Sequence, residues 1–354
     1  MTDDGLIRLR RARDKQYLRR VNSLAVRYCI AKAENSLRRQ EDALLTFIAD
    51  GTDVDPEGIR PRLVLVRAGS TEEKLFRYAT LHWSIPVSAG YGRRMRFLVL
   101  DESNGKLIGL FGLGDPVYSI RNRDTYVGWN KETKATNLYH VMDAYVLGAV
   151  PPYSSLLCGK LVALLALSNE VRARFERQYR GTTSIIRGLS RMPWLVMLTT
   201  TSALGRSSVY NRIKLDGVTM WRSLGFTEGS GEFHFSNSIY ERMRAFVEQG
   251  CSPTAKHASW GSGYRNKREV IKKCLPRIGL STRLLYHGIR REIFAAPLGV
   301  HAVAFLRGEK HRPCFHNWPA AYLSERFRAR WLLPRAERMP EYKSIRRDDY
   351  RIWK

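Results

Sequence analysis

"MDAYVLGAVPPYSSLLCGKLVALLAL", residues 142–167, decides how this chain is read. An extended apolar run, Met142 to Val150, stops at Pro151 and Pro152. A short polar stretch follows, then Gly159-Lys160, then an unbroken apolar helix former. That is the order strand, turn, helix. A turn that opens a helix aims backbone N–H groups and the positive end of the helix dipole at whatever lies above it. Either this turn cradles a phosphate-bearing cofactor through Tyr153, Ser154, Gly159 and Lys160, or it is a corner of the core, with Lys160 turned to solvent.

Outward from that stretch, residues 61–235 mix strand and helix patterns and form one α/β core. "PRLVLVRA" (61–68) reads as a strand, and "TEEKLFRYATLHWSI" (71–85) as a capped helix with Glu in its first turn. "RRMRFLVLDESNGKLIGLFGLGD" (93–115) is two strands around a hairpin turn, and "TYVGWN" (125–130) is short and extended. "LLCGKLVALLALSNEVRARFERQY" (156–179) predicts one long helix and "WLVMLTTTS" (194–202) a strand. "VTMWRSLGF" (218–226) reads as the end of a helix closed by Gly225, and "GEFHFS" (231–236) as the closing strand.

Residues 1–60 form a basic helical N-terminal arm. Leu18, Val21, Leu24, Ala25 and Tyr28 make its apolar stripe, and Arg8, Arg10, Arg11, Arg13, Arg19 and Arg20 its other face. That face is either solvated or contacts phosphates. Residues 236–354 form a basic, aromatic-rich C-terminal extension with 25 Lys+Arg against 10 Asp+Glu. Interleaved Trp260, Tyr264, Tyr286, Trp318, Tyr322, Trp331, Tyr342, Tyr350 and Trp353 suit base stacking beside a phosphate track, or equally a basic layer packed on the core.

The 354 residues carry 60 Lys+Arg against 33 Asp+Glu, a net charge of +27, and 45 of the basic residues are Arg. Arg makes planar, two-pronged contact with phosphate and base edges, so the balance points to a polyanion, DNA or RNA. Five scattered cysteines without a CxxC argue against a zinc ribbon or a disulfide framework. The N-terminal residues show no apolar segment of signal type, and the longest apolar run, Leu161 to Leu167, is too short to cross a bilayer. A cytoplasmic protein without a membrane partner is expected.

The element order, with Val150-Pro151-Pro152 ending the central strand and "WRSLGF" (221–226) further on, resembles the Gcn5-related N-acyltransferase fold. The resemblance implies a mixed central sheet of that topology and a Gly-rich turn holding the pyrophosphate of an acyl-CoA. Two departures are chemical. Leu161 stands where that family's second turn glycine belongs, and Trp221, which has no proton to give near neutral pH, stands where its general-acid Tyr belongs. "LIGLFGLGDPVYSIRNRDTYVGWN" (107–130), "NLYHVMDAYVLGAVPPYSSLLCGKLVALLA" (137–166), "LLYHGIRREIFAAPLGVHAVAFLRGE" (284–309) and "YLSERFRARWLLPRAER" (322–338) are similar to the DruA family of Druantia anti-phage defence systems. That resemblance implies an immunity role beside other Druantia proteins, including a helicase-like partner.

Asp115, His140 and Asp143 are the candidate catalytic residues, since neighbouring strands bring a carboxylate and an imidazole to one sheet edge. Arg121, Arg123, Arg206 and Arg212 are candidate nucleic-acid contacts within the core. Arg290, Arg291, Arg328 and Arg330 are their counterparts in the extension. The alternative for the loop residues is local: Asp115 caps a turn and Arg123 pairs with Asp124 or Asp143. "ETK" (132–134), in a polar turn, carries half of a metal-nuclease pattern, and His311, Cys314 and His316 are three ligands lacking a fourth. Ser207, Ser208 and Tyr210 follow a strand end and suit either a ligand loop or a plain one. The expected function is nucleic-acid engagement within anti-phage defence, through a degenerate acyltransferase-like core and an Arg-rich surface. The rivals are an active acyltransferase modifying a nucleobase or protein, a metal-dependent nuclease, and a scaffold for an acidic partner. Neither a cofactor nor a metal ligand set is specified.

Overall fold

A computed structural model describes residues 15–88, 92–182, 192–232, 235, 237–254, 260 and 264–353. Seven strands form one mixed sheet, in the order β1 (Pro61–Leu65), β2 (Arg94–Asp101), β3 (Leu107–Gly114), β4 (Val141–Ala149), β5 (Met197–Thr201), β9 (Glu292–Pro297), β8 (Arg222–Phe226). Every junction is antiparallel except β4–β5, which is parallel and spans only Val141↔Met197 to Asp143↔Thr199. Beyond that point a side chain takes over from the backbone ladder: Thr200 Oγ1 donates to the Ala144 carbonyl at 2.7 Å.

Helices cover both faces. On one face α6 (Cys158–Leu165), α7 (Asn169–Tyr179) and α11 (Ala320–Phe327) pack on Phe97, Phe111, Met142, Leu198 and Phe294. The other face is covered at the β1–β4 end by α1 (Lys15–Leu37), α2 (Glu41–Leu45) and α3 (Thr71–Thr80). At the β5–β9 end it is covered by α4 (Arg121–Val127) and α10 (Ala302–Leu306), with α5 (Lys131–Asn137) tied to α10 where Asn137 Nδ2 donates to the Leu306 carbonyl at 3.0 Å. A short hairpin, β6 (Lys214–Leu215) and β7 (Val218–Thr219), precedes β8. The helix pair α8 (Asn237–Glu248) and α9 (Tyr264–Arg277) lies between β8 and β9 in the chain and buries a cluster of its own around Tyr240, Trp260 and Val270. A π-helical turn, Arg328–Leu332, joins α11 to α12 (Leu333–Arg338).

Several expectations are corrected, each by a local cause. The long helix over 156–179 is two helices, because the Ser168 side chain accepts from Val171 N and caps a new start. "TYVGWN" is mostly the last turn of α4, closed by left-handed Gly128 at φ 77°. "ETK" lies in α5, capped by Asn130, and is not a turn. "VTMWRSLGF" is not the end of a helix. Asp216 and Gly217, at φ 47° and 78°, make the two-residue hairpin turn that sends the chain into β7 and then β8. Of the "GEFHFS" strand, Phe233, His234 and Ser236 lie outside the described residues, and Gly231, Glu232 and Phe235 are not in a strand. Arg8, Arg10, Arg11 and Arg13 of the N-terminal arm also lie outside them.

The 236–354 segment is more than an extension, because its β9 pairs with both β5 and β8 inside the sheet. Four of its interleaved aromatics, Trp260, Trp318, Tyr342 and Tyr350, are buried, Tyr322, Trp331 and Trp353 are half-buried, and Tyr286 is exposed. The last residues are latched to α2. Buried Glu41 accepts from Tyr78 Oη at 2.8 Å, Ile352 N at 2.6 Å and Trp353 N at 3.3 Å. Glu41→Ala strands two backbone donors and is expected to cost about 2–4 kcal/mol. Urea unfolding followed by tryptophan fluorescence measures that loss.

Candidate functional site

The turn at the start of α6 is occupied by its own chain. Tyr153 is buried, and its hydroxyl donates to Asp101 Oδ2 at 2.9 Å and accepts from Asn104 Nδ2 at 2.9 Å. Burial beside that carboxylate pushes the phenol well above its ordinary range. Ser154 is exposed. Gly159 faces Val209, whose Cγ2 would sit 3.5 Å from an added Cβ, an ordinary contact. Lys160 Nζ donates to the carbonyls of Ser208, Val209 and Asn211 at 2.8, 3.1 and 3.0 Å. Burial, with Arg212 and Arg330 nearby, pushes its ammonium down to about 8. Leu161 is buried in the core, and Trp221 Nε1 donates to the Ala163 carbonyl of α6. These residues do not fit a pyrophosphate: the lysine's protons are taken by backbone carbonyls, and a valine lies over the glycine.

The candidate catalytic residues have three separate sets of partners. Asp115 accepts from the Arg93 backbone N at 2.9 Å and from Arg93 Nε at 2.8 Å. His140 is buried, with Nδ1 3.0 Å from the Trp194 carbonyl and its ring packed among Tyr139, Trp194 and Phe305. Asp143 accepts from Thr199 Oγ1 at 2.8 Å. Burial raises its carboxyl to about 6, opposed by that hydrogen bond and by the charges of Arg123 and Arg291.

Register explains where Asp143 stands. Gly114, Asp143, Thr199, Ala295 and Arg222 lie opposite one another on successive strands, so they form one row on the face that carries α4. Arg222 was not legible as a site residue. The strand that pairs with it comes some seventy residues later in the chain, and the only local signal, Asp216-Gly217, marks the hairpin before it. Buried Glu292, also unanticipated, accepts from Ser223 Oγ at 2.8 Å and Ser207 N at 3.3 Å on the opposite face.

The candidate arginines divide by burial. Arg123 is fully buried and donates to the carbonyls of Val117 and Tyr118 and to Asp124, the local pairing that the sequence offered as its alternative. Lys134, the lysine of "ETK", pairs with the same Asp124 at 2.6 Å. Arg121, Arg206, Arg212 and Arg290 are exposed. Arg330 donates to the Lys214 carbonyl and lies over the Trp331 ring, Arg328 is half-buried beside Leu161 and Phe327, and Arg291 is half-buried. Among the described residues no group of three or more His, Cys, Asp or Glu could hold a metal ion. His316 stacks on Trp318, and Cys314 is exposed.

A family model described as Druantia protein DruA matches residues 12–308. The chain belongs to the DruA family. It is similar to the Druantia protein DruA of Escherichia coli (strain UMEA 4076-1), 41% identical over 312 residues that cover 88% of this chain and 75% of that protein. No solved structure matches. Membership supports the coarse role that the sequence resemblance implied, a component of a multi-protein Druantia anti-phage defence system. Among the described residues no helix is long and apolar enough to cross a membrane.

Asp143 supplies a pH test. Its folded-state value of about 6 lies above the ordinary 3.8, so between those values the native state holds more protons than the unfolded one. Stability from this group is therefore full below about pH 4 and lost as pH rises through 6. Asp143→Asn is expected to flatten that dependence. It should also stabilise the protein above pH 6 by about 1–2 kcal/mol, a figure reduced for the part of the residue still open to water. Melting temperatures of both proteins across pH 4–8 measure the effect.

Proposed function

We propose that this DruA-family chain engages nucleic acid within Druantia defence, through exposed arginines carried on a core of acyltransferase-like topology that has lost its cofactor corner. One observation carries the nucleic-acid reading. Arg121, Arg206, Arg212, Arg222 and Arg290 are exposed, and among the described residues none of the five forms an ion pair. An Arg fork left open to water is preorganised for phosphate oxygens, and the net charge of +27 draws a polyanion to it. Other Druantia proteins, with a helicase-like one among them, are the protein partners of this reading.

The topology is supported by the strand order and by the single short parallel junction in an otherwise antiparallel sheet. Loss of the cofactor corner is supported by Lys160, Val209 and Trp221, which fill the space that the resemblance assigns to an acyl-CoA. The fold then serves as a rigid frame for surface residues.

Two measurements test the proposal. Each phosphate contact releases condensed counterions, so the affinity for DNA or RNA falls as salt rises, with a log–log slope of about −0.9 per contact on duplex DNA. Anisotropy titrations across salt concentrations are expected to show a slope of about −3 to −5 if most of the five arginines engage. Binding indifferent to salt, or absent at low salt, would favour the acidic-partner scaffold. In calorimetry, acetyl-CoA at sub-millimolar concentrations is expected to give no saturable heat, whereas tight binding would restore the transferase reading.

A further inference from the structure

An open cleft of about 590 Å³ lies between α4 and the edge strand β8. Its size is that of a small-molecule site, in the range of about 300–1,000 Å³. Arg121, Tyr126, Arg222, Phe226 and Glu228 line it. The Arg222 guanidinium lies 5.8 Å above the Tyr126 ring, and that of Arg290 lies 5.5 Å above the Phe226 ring at the cleft's end. Two flat cations are thus laid on two aromatic platforms, with a third, Arg121, on the rim.

The backbone contributes as well. Pairing of β8 with β9 is irregular between Ser223 and Phe226, and Gly225 takes φ 97° there. Asn122 Nδ2 donates to the Leu224 carbonyl at 2.8 Å and ties the bulge to α4. An added Cβ at Gly225 would come within 3.0 Å of that same Asn122 nitrogen. A bulge re-aims the side chains around it. Here it breaks the regular register between Arg222 and Phe226, the two β8 residues that carry the proposed contacts.

We infer that this cleft takes one unstacked nucleotide, its base laid against the Arg222 guanidinium plane and its phosphate met by Arg121. This assignment rests on the nucleic-acid reading above and makes it specific to single strands. Arginine planes and aromatic rings stack bases that have left a duplex, and a duplex keeps its bases out of reach. Glu228, exposed at the same cleft, has only acceptors when ionised and selects for a base edge that presents an amino group. A cleft that merely tracked phosphates would need neither the rings nor a carboxylate.

The experiment uses the full chain with a fluorescein-labelled mixed-sequence single-stranded 15-mer, the matching duplex, and free GMP and CMP. Arg222→Ala with Arg121→Ala is expected to weaken single-strand binding about tenfold or more and duplex binding less than threefold. Phe226→Leu, which keeps the cleft apolar and removes the ring, is expected to weaken single-strand binding without altering the salt slope. An unchanged melting temperature certifies each variant. If a variant loses its fold, Arg121→Ala alone, an exposed side chain that lines the cleft, carries the same test. Saturable binding of GMP or CMP, lost in the double variant, supports the cleft with a free nucleotide as the source of the ligand. Wild-type protein that binds nucleic acid and variants that bind equally well overturn the cleft and leave the broader reading intact. Equal losses for single strand and duplex overturn the single-nucleotide assignment. Wild-type protein that binds neither polymer at low salt overturns both.

Discussion

The parallel contact between β4 and β5 is the constraint on which the rest of the molecule depends. It lasts for three residue pairs, ending at Asp143↔Thr199, while β4 continues to Ala149 and β5 to Thr201. Where a ladder stops, backbone polar groups need other partners, and apolar side chains need other cover. Thr200 Oγ1 meets the Ala144 carbonyl. Tyr210 and Trp221, both buried, pack together with Phe294 at ring distances near 5 Å, and Trp221 reaches on to the Ala163 carbonyl of α6. The chain between β5 and β8 is therefore a wedge, and Lys160 holds that wedge by three carbonyls.

That wedge answers the question posed by the turn after Pro151 and Pro152. A helix start is an anion site only while its approach is open. Here the Val209 side chain lies over Gly159, and the one cation close by is spent on backbone oxygens. A phosphate would have to displace three charge-assisted hydrogen bonds and part of a packed core. On the other face of the sheet the row from Asp143 runs through buried Thr199 and Ala295 to exposed Arg222, which lies over the Tyr126 ring of α4.

Burial separates the arginines that can act from those that hold the fold. Arg123 and Arg93 have their forks pointed inward: Arg123 at two carbonyls and a carboxylate, Arg93 at Asp115, the Tyr139 carbonyl and the Tyr139 ring. Removing a partner from such a group leaves a buried charge, a loss of stability in any context. Arg121, Arg222 and Arg290 are exposed, so removing one of them leaves no buried charge behind.

The sequence by itself determined the elements whose cause is local. The apolar runs Phe97–Leu100 and Leu107–Leu113 on either side of Asn104-Gly105 yield the β2–β3 hairpin, and Ser70 with Glu72 and Glu73 starts α3. The DruA resemblance was legible in four segments and holds for the family. Two local signals override the apolar pattern around them: Ser168 divides a helix, and Asp216-Gly217 makes a hairpin turn where the pattern reads as helix. Tertiary structure alone decided the rest. It inserted β9 between β5 and β8, made core of tail aromatics, filled the α6 corner from residues 206–221, and set Arg222 in line with Asp143. The physical reason is separation along the chain. A strand's neighbour is chosen by burying both of its faces and pairing both of its edges, and no window of sequence contains a partner seventy residues away.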